Sequence, residues 1–369
     1  MFSSLRIAAP ILCIFTLAAC GPSEEPDVEK VVSDLEKAQK TTASSPGSTS
    51  PPVGILEASG LAAKDERAEI ILLLPDVRIA MQEFQRNGLA MLVGRQAGYK
   101  LTTHDAAGSA AKQIEQFRQA IASKPAAIIV SPIDPPALAA VIVEAQTAGI
   151  AVIGLDNRML KEGCASIVYS DQRRVGRMAA QTILEALKRK SDEEGRAEVT
   201  GRVIQLRGME GGHLTDEIAE GFSEGLQAQP GVILVHDAPA DWSTESATQR
   251  TTEAFRLQKN FDAIYAHNDA MAIGAAKATE TAAQRENIFI VGTDGISGQK
   301  KGLELVRQGE IDATIVQPAL VDLALQIIVK LRGDKTFKPQ PAYEVQPVAV
   351  VPKNVEQSLR VGTYKLPKL

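Results

Sequence analysis

The chain has 369 residues, of which 44% are hydrophobic and 4% aromatic, so it is long enough to bury two cores of ordinary domain size. Its formal net charge is -5, and no basic run or patch is visible in the sequence. This charge pattern argues against nucleic acid as a partner.

The first nineteen residues have the pattern of a processing signal. Arg6 gives a basic start, Ile7 to Ala19 is an apolar stretch, and small residues precede Cys20. The apolar stretch is shorter than the about 20 residues that a membrane-spanning helix needs. Because this region resembles a bacterial lipobox, we predict cleavage before Cys20 and lipidation of that cysteine, with an ordinary secretory peptide as the alternative. Cys164 then has no partner for an intrachain disulfide.

Residues 20–66 are predicted to be an acylated N-terminus followed by a flexible tether. Asp27 to Lys40 has the pattern of a short amphipathic helix, whereas Thr41 to Pro52 is rich in Ser, Thr, Pro and Gly. Such a composition cannot build a core. The segment is expected to hold a folded domain away from the membrane.

From Ala68 onward, buried strand patterns alternate with helical patterns, which is typical of parallel α/β sheets. Strands are predicted at 69–74, 100–103, 126–130, 151–155, 167–169, 202–206, 232–236, 263–266, 288–293 and 313–316. Helices are predicted at 82–97, 110–123, 135–148, 172–190, 216–227, 245–258, 269–281, 298–308 and 319–330. Asp134 and Gly149 mark the start and stop of the third helix.

The pattern repeats in two successive units, which predicts two doubly wound lobes. The predicted divisions are a signal peptide at 1–19, the tether at 20–66, a first lobe at 67–169 plus 318–345, and a second lobe at 170–317 plus 346–369. Polar residues lie where a predicted strand meets a helix, at His267, Asn268 and Asp269, and Asp269 is predicted to be the helix N-cap. Small ligands bind at such strand ends in open α/β sheets.

Nine motifs in a fixed order carry a family resemblance between Ala68 and Val351. They are IVSPIDPPAL, AGIAVIGLDNRM, IVYSDQRRVGRMAA, VIQLRGMEGG, EIAEGF, APADW, YAHNDAMAIGA, IVGTDGISGQKKG and ATIVQP. Together they resemble the sugar-binding periplasmic proteins of the ribose and galactose type. The resemblance implies a type I periplasmic binding fold, in which two lobes joined by three crossovers near Ser170, Gln317 and Gln346 close over a ligand. The related lactose-repressor-like regulators carry an N-terminal helix-turn-helix that this sequence does not show.

The resemblance also implies ligand contacts at strand ends. In the first lobe it points to Asp156 and Asn157, and in the second lobe it points to Trp242, Asn268, Asp294 and Gln317. Sugar hydroxyls both donate and accept hydrogen bonds, which suits carboxylate and amide side chains, and an aromatic face suits the C–H face of a sugar ring. Core packing for Trp242, and turns for the polar residues, are the competing structural interpretations.

Departures from the family pattern leave the ligand open. Asp76 and Arg78 stand where sugar binders usually place aromatic residues, and Asp216 and Asn157 stand where ribose binders carry arginines. Asp216, Asp76 and Arg78 are therefore also predicted to contact the ligand. Loss of two cationic donors favours a hydroxyl-rich or cationic ligand, whereas Arg78 would suit an anionic group.

No enzyme signature is found, and the four histidines show no metal-ligand spacing. The loop from Gly208 to Gly212 could cradle an anion or form a plain turn. An acid–base pair of Asp156 and Asp294 in a sugar-modifying enzyme is a minor alternative.

The predicted function is therefore that of a lipid-anchored solute-binding protein of the cell envelope, and not of an enzyme. It would be a monomer without metal or cofactor that delivers a sugar or polyol to an ABC permease driven by its ATPase. The alternative is a sensor that presents its closed form to a chemoreceptor or membrane kinase.

Overall fold

The computed structural model describes residues 67–155, 163–361 and 364–369. The predicted signal peptide, Cys20 and the tether lie outside the described residues, and so do Asp156 and Asn157.

The first sheet has six parallel strands in the order β11-β5-β4-β3-β1-β2. These strands are β1 (Ala68–Leu74), β2 (Tyr99–Asp105), β3 (Ala127–Val130), β4 (Ala151–Leu155), β5 (Ser166–Tyr169) and β11 (Ala342–Glu344). Four helices belong to this part, namely α1 (Ala80–Gly94), α2 (Ala110–Ala122), α3 (Pro135–Thr147) and α9 (Val321–Gly333). Strands β3 and β5 are buried throughout, as expected for a parallel sheet with helices on both faces.

The second sheet also has six strands, in the order β12-β10-β9-β8-β6-β7, and only β12 is antiparallel to its neighbour. These strands are β6 (Gly201–Arg207), β7 (Val232–Pro239), β8 (Ala263–Ala266), β9 (Phe289–Asp294), β10 (Ala313–Val316) and β12 (Val348–Val350). Its helices are α4 (Gln172–Glu193), α5 (His213–Leu226), α6 (Thr244–Gln258), α7 (Asp269–Thr281), α8 (Gly302–Gln308) and α10 (Val355–Val361).

The chain passes between the two sheets three times. It crosses after β5, after β10 and between β11 and β12. The predicted fold class, two doubly wound parallel lobes joined by three crossovers, is confirmed. Each sheet has apolar clusters of buried side chains around it. No helix in the described ranges combines the length and the apolar character that crossing a membrane requires.

The last described residues connect the two parts of the fold. Tyr364 packs against clusters of both sheets, whereas Leu366 and Leu369 pack against a cluster of the first sheet. The predicted lobe boundaries, with 346–369 assigned wholly to the second lobe, stay a prediction.

Helix caps explain several boundaries. Asp134 caps α3 by accepting a hydrogen bond from the Ala137 amide, and Gly149 follows the helix with φ +73°, as predicted. The prediction that Asp269 caps α7 is wrong. Asn268 is the N-cap, with Oδ1 2.8 Å from the Met271 nitrogen. Asp269 is the first residue inside the helix, where its side chain turns to other partners.

Candidate functional site

The candidate site lies along the carboxyl edge of the second sheet. Strands β10, β9, β8 and β6 are consecutive neighbours and run parallel, so their carboxyl ends meet at one edge. Gln317, Asp294, Asn268 and Gly208 stand at or just beyond these four ends. Trp242 follows β7, the next strand. The sheet thus brings together four of the five predicted contacts of the second lobe, all but Asp216.

Trp242 is half-buried at the turn between β7 and α6. Its backbone has φ +59°, and that of Asp241 has φ +50°, so two successive non-glycine residues adopt the left-handed region. The indole lies directly against the backbone of Gly208, where an added Cβ would collide with the ring. Its ring centre is 6.3 Å from that of His267. The contacts with apolar clusters support the packing interpretation, and the partly exposed surface leaves room for ligand contact.

Asn268 joins this turn to the start of α7. Its Nδ2 donates a hydrogen bond to the Trp242 carbonyl oxygen at 3.2 Å, while its Oδ1 caps the helix. An amide side chain has two N–H donors and two acceptor lone pairs, so each end of Asn268 keeps capacity for a ligand.

Asp294 has a strained backbone with φ +108° and is 5% exposed. Its carbonyl oxygen accepts a hydrogen bond from the Gln317 amide at 3.0 Å. The Gln317 side chain in turn accepts from Nε2 of Gln172 at 3.0 Å. Gln172 begins α4 directly after the first crossover, so this bond joins two of the three crossovers to the edge that carries Asp294.

Two buried titratable groups flank these residues. Burial raises the pKa of Asp269 to about 7, against the opposing effect of hydrogen bonds from Thr314 and Gly295. Burial lowers the pKa of His267 to about 3, so its imidazole is neutral at ordinary pH. The ring nitrogens of His267 lie 2.8 Å from Gln205 Nε2 and 3.4 Å from the Gly208 nitrogen. Neither residue was predicted as a ligand contact.

At the carboxyl edge of the first sheet, Asp76 and Arg78 pair with each other. The Arg78 Nε atom lies 2.9 Å from Asp76 Oδ1, and its Nη2 atom lies 2.5 Å from Asp76 Oδ2. These hydrogen bonds lower the pKa of Asp76. Asp105, at the end of β2, accepts hydrogen bonds from the Val77 and Ala107 amides and holds the same loop. The two charges at Asp76 and Arg78 therefore compensate each other.

Asp216 is exposed in the first turn of α5. The preceding loop, 208–212, ends in the N-cap Gly212, which makes no side-chain cap. Glu210 lies in this loop, and Asp216 and Glu217 follow it in α5. This acidic setting favours the plain turn over an anion cradle. No distance between Asp156 and Asp294 is defined, because Asp156 lies outside the described residues. Within those ranges, no group of His, Cys, Asp and Glu is arranged to hold a metal ion.

Comparison with known proteins identifies the family. A model of the periplasmic binding protein domain matches residues 70–334. The chain belongs to the periplasmic binding protein family. The matched range spans both sheets and ends before the third crossover, so β11, β12, α10 and the tail lie beyond it. The predicted family is thereby confirmed.

Relatives within this periplasmic binding protein family include named sugar-import proteins. The ribose import binding protein of Haemophilus influenzae is 28% identical over 241 residues, covering 64% of this chain and 77% of the relative. The D-allose-binding periplasmic protein of Escherichia coli is 30% identical over 176 residues, covering 46% of this chain and 53% of the relative.

A solved structure shows the same architecture. An ABC transporter periplasmic solute-binding protein from Actinobacillus succinogenes, with bound D-allose, aligns with a TM-score of 0.70 and 27% identity. The alignment covers 79% of this chain and 100% of the Actinobacillus succinogenes protein. The fructose-binding periplasmic domain of a hybrid two-component system also aligns, with a TM-score of 0.70, and at 22% identity it shows the fold alone.

Proposed function

We propose that this protein is an extracytoplasmic solute-binding protein that captures an uncharged sugar or polyol between two closing lobes and delivers it to an ABC permease. The observation that carries the proposal is the row of Trp242, Asn268, Asp294 and Gln317 along one sheet edge. Family membership and the sugar-import relatives support the same class of ligand. The proposed lobes are residues 67–169 plus 318–345 and residues 170–317 plus 346–369.

Each second-lobe residue has a proposed role. The Asp294 carboxylate accepts hydrogen bonds from sugar hydroxyls, and such bonds to a charged group contribute about 1.5–3 kcal/mol each. Asn268 adds its remaining amide donor and acceptor capacity. Gln317 donates through Nε2, since its Oε1 already accepts from Gln172. Trp242 covers the apolar face of the ring.

The first lobe completes the site in this proposal. Asp156 and Asn157 remain its proposed contacts on the family pattern, and Asp216 is proposed as a peripheral contact from the second lobe. The mutual pairing of Asp76 and Arg78 leaves no net charge at this loop, which is compatible with an uncharged ligand. Together with the sugar-import relatives, this favours the sugar or polyol over the anionic and cationic ligands that the sequence left open.

A ligand screen tests the proposal. The full-length chain is heated with D-ribose, D-allose, D-apiose, D-fructose, myo-inositol, and sugar acids and sugar phosphates. A ligand that binds only the native state raises the free energy of unfolding by about 2.7 kcal/mol at a hundredfold excess over Kd. We expect an uncharged sugar or polyol to raise the midpoint.

Matched variants connect that ligand with the site. Asp294→Ala should abolish the shift and Trp242→Ala should weaken it. Asp192→Ala, which removes an exposed carboxylate on α4, should leave it unchanged. A midpoint that moves only with sugar acids or phosphates, or with none of these compounds, contradicts the proposed ligand class.

The lipid anchor on Cys20 is part of the same proposal. It would hold the protein on the extracytoplasmic side of a membrane and the permease and its ATPase would be its partners. In a bacterial host given radiolabelled palmitate, the wild-type protein should incorporate label and Cys20→Ala should not. Equal labelling of both proteins excludes acylation at this cysteine.

A further inference from the structure

The peptide group between Asp294 and Gly295 is held at both ends. Its carbonyl oxygen accepts a hydrogen bond from the backbone N–H of Gln317 at 3.0 Å, and its N–H donates to Oδ2 of Asp269 at 2.8 Å. This peptide group sets the backbone torsion that follows the Asp294 Cα. Asp294 has φ +108°, a conformation that costs about 1–3 kcal/mol and persists only where surrounding contacts enforce it. The hydrogen bond from the Gly295 N–H to Asp269 fixes the peptide group that directly follows this strained residue.

Asp269 is itself fixed by its surroundings. Its other oxygen, Oδ1, accepts a hydrogen bond from the Thr314 hydroxyl at 2.7 Å. Glycines at 292 and 302 form the walls of its pocket, and an added Cβ at either would collide with the carboxylate. The side chain thus ties the start of α7 to β9, β10 and the turn before α8.

These contacts leave Asp269 no direct part in ligand binding. The residue is as buried as Asp294, but its carboxylate is enclosed between Gly292 and Gly302, and both of its oxygens accept hydrogen bonds from within the fold. Asp294 is adjacent through the Gly295 amide and stands at the end of its strand, on the sheet edge that also carries Trp242, Asn268 and Gln317. The effect of Asp269 on a ligand must therefore pass through the geometry of the 294–295 peptide.

We infer that Asp269 is a positioning residue, whose carboxylate holds the Gly295 amide and thereby aims the Asp294 carboxylate at the sugar. This inference rests on the proposed function. It replaces the capping role that the sequence suggested for Asp269 and that the structure assigns to Asn268. The two acidic residues then have different roles. Asp294 contacts the ligand, and Asp269 sets the direction of the Asp294 carboxylate.

The first test needs no ligand. Hydrogen exchange of the Gly295 amide is measured in the full-length wild-type chain and in Asp269→Ala, Asp269→Asn and Thr314→Val. Asp269→Ala should accelerate exchange at Gly295 by at least tenfold relative to amides of β9 such as Val291. Asp269→Asn should stay protected, because its Oδ1 can accept from Gly295 while its Nδ2 donates to the Thr314 hydroxyl. Unchanged exchange in Asp269→Ala overturns the inference.

The second test measures calorimetric affinity for D-ribose, D-allose and myo-inositol. Asp269→Ala should weaken binding at least tenfold, and Asp269→Asn should restore it to within threefold. Thr314→Val is the matched control, since it removes the other hydrogen bond of Asp269 and leaves the Gly295 bond. It should lower the unfolding midpoint without changing affinity more than threefold. Asp269→Ser keeps a polar group, but its side chain is too short to reach the Gly295 N–H. It should therefore weaken binding as Asp269→Ala does.

A double-variant comparison identifies the route of the effect. In an Asp294→Asn background, Asp269→Ala should weaken affinity further by less than threefold. Additive losses overturn the inference, as does wild-type affinity in Asp269→Ala once exchange at Gly295 has risen. If none of these three compounds binds the wild-type chain, all three are excluded as its ligands. The exchange experiment then decides alone whether Asp269 holds the peptide.

Discussion

At the scale of single residues, Gly208 decides where the indole of Trp242 can lie. The ring rests on the Gly208 backbone, and a Cβ at this residue would collide with it. Gly208→Ala should therefore displace the indole and destabilise the protein by about 1–3 kcal/mol, as overpacking does. Trp242 is the single tryptophan of the chain, so its fluorescence reports the displacement without interference. Affinity for the sugar should fall together with the spectral change.

A second glycine gives the control. Gly94, the last residue of α1, has no atom within 4 Å of an added Cβ. Gly94→Ala should leave the tryptophan spectrum and the affinity unchanged and should not lower stability. If Gly208→Ala keeps the wild-type spectrum and affinity, the position of the indole does not depend on this contact.

Residue roles were only partly predictable from the sequence. Trp242, Asn268, Asp294 and Gln317 were found through motifs that match a family, and the structure sets them along one edge. The positioning role proposed for Asp269 was not predicted, because it depends on burial and on two hydrogen-bond partners that lie 26 and 45 residues away in the sequence. A carboxylate directly after the capping Asn268 gave no sign that it faces the interior.

At the scale of elements, the strand patterns predicted every long strand of both sheets, but the edge strand β2 is half-buried along its whole length and not buried as predicted. At two helix starts the boundary differs because a residue just before the helix takes a left-handed backbone. Helix α9 begins at Val321 and not at Ala319, since Leu320 has φ +67°, and α8 begins at Gly302 after Lys300 with φ +55°. The three-residue strands β11 and β12 and the helix α10 were not predicted. Such short segments carry too few residues for a periodic pattern.

The close contact between α4 and α5 shows a second limit of sequence patterns. A Cβ at Gly176 or Gly221 would collide with the backbone of the facing helix. The amphipathic patterns predicted both helices, but the distance between their axes depends on which glycines face each other, and the sequence alone does not show that pairing.

At the scale of the whole molecule, the crossovers are connected by polar contacts. Gln172 and Gln317 join two of them through a side-chain hydrogen bond of 3.0 Å. The Tyr364 hydroxyl accepts from the Ala319 amide at 3.2 Å, beside the second crossover. Burial raises the pKa of Tyr364 to about 12, so its hydroxyl stays protonated at ordinary pH. The tail thus adds a connection that the family model does not include.

Closure of the two lobes should accompany ligand binding. A ligand that contacts both lobes stabilises the closed form in proportion to its differential affinity for that form. The radius of gyration of residues 67–369, measured by small-angle scattering, should fall when the sugar identified by the screen is added to saturation. Asp294→Ala at the same sugar concentration should keep the ligand-free value, which controls for effects of the sugar on the solvent. Calorimetric binding without any compaction would support the proposed binding site but exclude closure as a signal to the proposed permease.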